Sequence, residues 1–315
     1  MKRSCPFALL ALGVVLATPM HALPATATDP PREPAVFAPG VISGPRHETA
    51  PAFSPDGRTV WFSRSEGSAS TILVSHREND HWSTPEAAPF SGRWSDMEPA
   101  MAPDGSHLVF VSNRPAHDGG APLDGFFNGR TVPGGGGNLW RVDRTASGWG
   151  MPQRLPDLVN ASASTFAPSV ARDGGLWFMR PDAATGRFRL YRAPWVDGHY
   201  GAPAPLPFSD GTSTDVDPAV APDESFVVFG SGRAPARGID LFIARRTGGS
   251  WESPVSLGDT VNSAGSDAEP RLGPDGATLY FSSERRSPSP SDADADWNNG
   301  KYNLWVVDLR PWLRR

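Results

Sequence analysis

Short runs that mix apolar and polar residues with a two-residue period recur along this chain about every 50 residues, as in a repeat architecture. The clearest are Val60-Trp61-Phe62-Ser63, Leu108-Val109-Phe110-Val111, Leu176-Trp177-Phe178-Met179, Phe226-Val227-Val228-Phe229 and Leu279-Tyr280-Phe281-Ser282. Each follows a related segment: Ala-Pro-Ala-Phe-Ser-Pro-Asp-Gly from Ala50, then its counterparts from Glu98, Ala167, Asp217 and Glu269. The turn aspartates are Asp56, Asp104, Asp173, Asp223 and Asp275. Proline presets the first turn position, aspartate caps the backbone, and glycine accepts the left-handed conformation. Asp223-Glu224 lacks the glycine, so strain is expected there.

A third strand follows in each repeat, for example Ile72-Leu73-Val74 and Leu304-Trp305-Val306-Val307. A fourth opens on an aromatic with a proline close behind: Trp82 and Pro85, Trp149 and Pro152, Tyr200 and Pro203, Trp251 and Pro254. Proline lacks an amide hydrogen and is confined to edge strands, so this strand lies outermost. Four strands with an outer proline make one propeller blade. The fold class is therefore an all-β β-propeller of four-stranded blades. Five blades are expected, with six as the alternative if residues 116–137 conceal a degenerate blade. That stretch is Gly-rich and lacks alternation, and reads as a loop. The fifth repeat ends after its third strand, near Asp308, and Val36–Ser43 is expected to supply the missing outer strand. Closure of this kind removes an exposed strand edge.

The composition fits: 34 Pro and 33 Gly suit many tight turns, and 11 Trp suit packing between sheets. A net charge of −5 argues against a general nucleic-acid binder. Lys2 and Arg3 precede an apolar run from Phe7 to Ala17, too short to span a bilayer, and Ala25-Thr26-Ala27 is a small-x-small cleavage site. Residues 1–27 read as a signal peptide, 28–35 as an extended lead-in, and 36–315 as one propeller domain. The lone cysteine, Cys5, leaves with the signal, so the mature chain has no thiol chemistry. A monomer in the periplasm or outside the cell is expected, with no membrane span after cleavage.

Pro55-Asp56-Gly57 with Phe62-Ser63-Arg64, Phe110-Val111-Ser112-Asn113-Arg114, and Phe281-Ser282-Ser283-Glu284-Arg285 resemble the WD-like repeats of the TolB family. The resemblance covers about residues 45–309. It implies a propeller and a periplasmic protein that binds partners at the cell envelope. The family's N-terminal α/β domain has no room here. Similar repeats occur in propellers of prolyl-oligopeptidase-like enzymes, but the hydrolase domain and its Gly-x-Ser-x-Gly elbow are missing.

Candidate chemistry gathers where the first strands begin. Before the repeat proline stand Ala50, Glu98, Ala167, Asp217 and Glu269; two residues earlier stand Glu48, Asp96, Thr165, Asp215 and Asp267. Alternation puts positions two apart on one face, so seven carboxylates are expected around one channel mouth, with a neutral gap in blade 3. Arg64, Arg114, Arg180, Arg233 and Arg285 end the second strands at the same mouth. One reading is ion pairing between neighbouring blades as framework. The other is a polar pocket for a cation, a sugar or a basic peptide end. Asp292, Asp294, Asp296 and Asn298 place oxygens at every second position, a partial match to a Ca²⁺ loop that lacks its glycine and final glutamate. No cofactor beyond possible Ca²⁺ is implied. Trp94 and Trp297 fall in loops at the mouth and are candidates to stack on a ligand. Histidines are scattered without zinc spacing. The expected role is a non-catalytic binding scaffold for an envelope or extracellular protein, peptide or glycan. A carbohydrate hydrolase or lyase using channel carboxylates, and a Ca²⁺-stabilised structural propeller, are the alternatives.

Overall fold

Each inner strand ends in the turn its sequence anticipates. In the computed structural model, which describes Met1 and residues 29–127, 130–286 and 301–314, Gly57, Gly105, Gly174 and Gly276 adopt φ of 68, 73, 82 and 64°. The turn aspartates accept from the backbone two residues on, as Asp56 does from Arg58 N at 3.0 Å and Asp104 from Ser106 N at 2.9 Å. Glu224 occupies the glycine place with φ 57°, the strain expected of it.

The blades number five. Their inner strands are His47–Phe53, Asp96–Met101, Phe166–Val170, Asp215–Val220 and Asp267–Leu272. Second strands (Thr59–Glu66, His107–Ser112, Leu176–Pro181, Phe226–Ser231, Thr278–Ser283) and third strands (Ala69–Glu78, Asn138–Thr145, Phe188–Ala193, Asp240–Thr247, Asn303–Asp308) follow by antiparallel pairing. In blades 1, 2 and 4 the outer strand is split, as in His81–Trp82 and Glu86–Ala87, with the proline between the halves. The missing amide explains the split.

The ring closes with Ala35–Val36 against Val306 and Trp305, at the start of the segment the sequence nominates. Phe37 N continues the ladder to Leu304 O at 2.8 Å, and Ile42 is fully buried beneath it. Residues 116–137 are not a blade; they carry a short hairpin, Gly125–Phe127 with Arg130–Val132. After the last strand a helical turn, Arg310–Leu313, buries Trp312, whose indole donates to Leu257 O at 3.0 Å. Apolar cores lie between neighbouring blades, where Trp61 meets Trp149 and Trp177 meets Trp251 edge-on. Among the described residues no helix is long and apolar enough to cross a membrane.

Candidate functional site

The inner strands do not alternate cleanly, and this rearranges the expected site. Ala50, Glu98, Ala167, Asp217 and Glu269 all sit in the left-handed region, with φ of 49, 53, 52, 55 and 48°. The register with the second strand shifts at this point in all five blades. A left-handed non-glycine residue costs about 1 kcal/mol, so five in one ring need compensation. In four of the five it comes from the amide hydrogens the bulge turns toward the preceding blade. Glu98 N donates to Ser63 Oγ (2.8 Å), Ala50 N to Ser282 Oγ (3.3 Å), Ala167 N to Glu98 Oε2 (2.6 Å) and Glu269 N to Asp217 Oδ2 (3.1 Å).

The seven carboxylates therefore separate into two tiers. In the outer tier, Glu48, Asp96, Asp215 and Asp267 are each paired with the arginine of their own blade: Arg64 (2.8 Å), Arg114 (2.7 Å), Arg233 (2.7 Å) and Arg285 (2.8 Å). The pairing expected between blades lies instead within each blade, because the first strand begins directly opposite the end of the second. The same arginines donate to a carbonyl of the loop entering the blade, at Ile42, Phe90, Phe208 and Val261, and lie over Phe62, Phe110, Phe229 and Phe281. In blades 2, 4 and 5 the Phe-x-Ser-x-Arg motif is thus one staple, and blade 1 builds its own from Phe62-Ser63-Arg64. Phenylalanine supports the guanidinium, serine reaches the carboxylate (Ser231 to Asp215 at 2.6 Å), and arginine ties both to the incoming loop. Burial pushes Glu48 and Asp96 above the usual carboxylate range, against the pull of Arg64 and Arg114. In blade 3, Thr165 replaces the carboxylate, and Arg180 rests on Tyr191, 4.3 Å from the ring centre.

The inner tier is Glu98, Asp217 and Glu269, held in the ring of inner strands, with Glu98 and Asp217 buried and Glu269 half-buried. Burial, then the neighbouring carboxylates, push Glu98 up to about 8 and Asp217 to about 7. Glu269 is also raised by burial, although Arg271 pulls it down and Ser282 Oγ donates to it at 3.0 Å.

Arg271 was not among the residues the sequence singled out. Its place is held by Ala52, Ala100, Ser169 and Ala219 in the other blades, a correspondence the strand register establishes. One arginine among four small residues was a legible signal. Arg271 is 5% exposed, and its Nη1 donates to Pro270 O at 2.8 Å. Beyond it, toward the turns, the channel widens into a cavity of about 330 Å³.

A second concavity, of about 540 Å³, lies where blades 1 and 2 meet, lined by Arg93, Trp94, His117, Trp140, Trp149 and Met151 among others. Arg93 stands over Trp94 at 5.3 Å, and Met151 is 84% exposed. Asp292, Asp294, Asp296, Asn298 and Trp297 lie outside the described residues. Among the described residues no three His, Cys, Asp or Glu side chains converge to hold a metal ion.

No family model matches this sequence, and no curated protein does. Solved structures do resemble it. One described as a TolB from Agrobacterium tumefaciens is 19% identical over 76% of this chain and 70% of its own, with a TM-score of 0.50. A thermostable family-43 glycoside hydrolase is 10% identical over 83% and 89%, with a TM-score of 0.54. Another glycoside hydrolase is 10% identical over 88% and 91%, with a TM-score of 0.51. At such identities the likeness is one of fold.

Proposed function

We propose that this chain is an exported, non-catalytic binding propeller that recognises a protein, peptide or glycan on the face where its inner strands begin. The observation that carries this reading is the use made of the acidic mouth. Four of its carboxylates are committed to arginine staples, and Glu98 and Asp217 accept backbone amides of the next blade. Groups so engaged hold geometry. Recognition then falls to the surface the ring presents, and the groove at blades 1 and 2 has the character for it. It is concave, of ligand-site size, and joins tryptophan faces to two arginines, a histidine and an aspartate. The signal-like N-terminus and the fold likeness to a TolB structure support a working compartment in the periplasm or outside the cell.

A photo-reactive residue at position 151, in cells exporting the protein, tests this. A discrete adduct that disappears with Trp94→Ala and is absent from a probe at position 56, on the opposite face, supports the reading. Equal labelling from both positions counts against it.

One observation favours a catalytic alternative. Glu98 and Asp217 stay protonated toward neutral pH, as a general acid must. Turnover of aryl glycosides that is lost in both Asp217→Asn and Glu269→Gln would replace the binding reading with a glycosidase.

A further inference from the structure

At two junctions the aromatic that opens an outer strand packs directly on the second-strand tryptophan of the preceding blade. Trp149 meets Trp61 with 5.6 Å between ring centres, and Trp251 meets Trp177 with 5.4 Å. The junction of blades 5 and 1, where the ring closes, is built differently. Trp82 and Tyr280 hold the corresponding places, and Phe37 of the closing segment and Phe53 of the first inner strand each meet both of them. Contacts of Phe37 with Phe53, Trp82 and Tyr280, and of Phe53 with Trp82, are edge-on at 61 to 80°. The rings therefore stand across one another as walls, not as a flat stack. They line a cavity of about 380 Å³ beside the turns of blades 5 and 1. Phe37, Trp82 and Tyr280 are each partly exposed. The lead-in closes another side, held there by Asp308 N, which donates to Pro31 O at 2.7 Å.

Negative charge gathers at the same cavity. Asp29, Asp56 and Asp275 line it against one cation, Arg77, which is already paired with Asp80 at 3.1 Å. One oxygen of Asp56 accepts from Ser54 Oγ and Arg58 N, which holds the carboxyl below its usual range and ionised at neutral pH. Its other oxygen accepts nothing among the described residues. The Tyr280 hydroxyl also makes no hydrogen bond among the described residues; burial, then Asp275, push it up to about 12, so it stays neutral. Arginines stand over aromatic rings throughout this fold, yet among the described residues none stands over these four. An inorganic ion would need converging oxygens, and among the described residues no such group forms. An organic cation, weakly hydrated and broad, is instead drawn by the ring quadrupoles and by the carboxylates beside them. The cavity is of the size that takes a small ligand.

We infer that the cavity at the closure of the ring is a binding site for a quaternary ammonium group, with Phe37, Trp82 and Tyr280 against its methyl groups and Asp56 and Asp275 supplying the opposite charge. This site lies beside the turns and is independent of the groove at blades 1 and 2. Two sources share the chemistry: a free quaternary ammonium solute, and the phosphocholine headgroup of a lipid. The aspartates would repel the phosphate of the second, so the free cation is the better fit.

Calorimetric titration of the mature chain with choline, with phosphocholine and with 3,3-dimethylbutan-1-ol tests the inference, in about 0.15 M NaCl to screen unspecific attraction. The alcohol keeps the shape of choline and lacks its charge. Binding of choline at about millimolar concentration or below is expected, with the alcohol weaker by about tenfold or more. Tighter binding of choline than of phosphocholine identifies the free cation as the source, and the reverse order identifies the headgroup. Trp82→Leu keeps an apolar side chain on a partly exposed outer strand and removes the π system, and is expected to lose choline binding. Asp56→Asn keeps the acceptor that caps the turn and removes the charge. It is expected to weaken choline about threefold or more with the melting temperature nearly unchanged, so the inference stays testable if the tryptophan variant does not fold. Equal binding of choline and the alcohol, undiminished binding to Asp56→Asn, or no binding of choline or phosphocholine up to about 20 mM would each overturn the inference.

Discussion

The indole of Trp177 donates from Nε1 to Oε1 of Glu224 at 2.8 Å, joining the second strand of blade 3 to the turn of blade 4. The same oxygen accepts from Arg192 Nε at 2.6 Å, and Arg192 also reaches Asp173 in the turn of its own blade. Glu224 stands where the other four turns have glycine, and it does so at a left-handed φ of 57°. The strain it stores is offset by an inter-blade network that glycine cannot make. Glu224→Gly therefore relieves about 1 kcal/mol of backbone strain while leaving the buried Trp177 indole unpartnered and Arg192 half-used. The expected net effect is destabilisation by about 1–2 kcal/mol, a fall of a few degrees in melting temperature. A more stable glycine variant would show that the network contributes little.

The arginine staples differ in one respect that can be measured. Arg114 compensates Asp96, which is fully buried, whereas among the described residues Arg180 has no carboxylate paired with it, Thr165 standing in that place. Arg114→Met leaves a buried carboxylate without its cation, which costs about 3–5 kcal/mol. Arg180→Met removes a cation–π contact with Tyr191, worth about 1 kcal/mol or less. Urea denaturation of the two variants should separate them by at least about 2 kcal/mol. Equal losses would mean that the carboxylate contributes nothing to the staple.

The staples and the blades were legible to different degrees. Repeat boundaries, the turn glycines, the outer prolines and the closing strand could all be read from spacing, because each reflects a local backbone requirement. The split of the acidic ring into two tiers could not. Alternation puts Glu48 and Ala50, or Asp96 and Glu98, on one face, and the left-handed residue before proline breaks that rule in all five blades. In four of the five blades the bulge answers to a hydrogen bond with the preceding blade, a contact 35 to 232 residues away that no local pattern encodes. Arg271 lay within reach: comparing Pro51-Ala52, Pro99-Ala100, Pro168-Ser169, Pro218-Ala219 and Pro270-Arg271 isolates it at once.

Glu98 and Asp217 make stability depend on pH above neutrality. Each is protonated in the native state up to about 8 and about 7, and each is ionised in the unfolded chain above about 4. The native state then holds more protons than the unfolded state, so stability falls as pH rises toward 8. His47 and His107, both lowered by burial, act in the opposite sense below about 6.5 and mask the effect there. From about pH 6.5 to 8 the carboxylates act without that opposition. Denaturation across this window should show a decline of up to about 1.4 kcal/mol per pH unit for each proton released. Glu98→Gln, which keeps an acceptor for Ala167 N, should flatten it. An unchanged slope in that variant would place the proton elsewhere.

Closure of the ring can be tested by removing what closes it. Ala35–Val36 covers the edge of Asn303–Asp308, Asp308 N donates to Pro31 O at 2.7 Å, and Ser43 Oγ bonds to Leu304 O at 3.2 Å. A chain starting at Gly44 loses all three, loses the fully buried Ile42, and exposes a third-strand edge composed of Asn303-Leu304-Trp305-Val306-Val307. Burying an isoleucine side chain alone contributes about 2 kcal/mol or more, and an apolar uncovered edge is a template for pairing with another chain. The shortened chain should therefore melt at least several degrees below one starting at residue 28, and light scattering should show it associating as concentration rises. Lys in place of Trp305 should suppress the association without restoring the melting temperature, since a charge blocks edge pairing but does not replace the lost strand. A shortened chain that stays monomeric and melts normally would mean that blade 5 is complete with three strands.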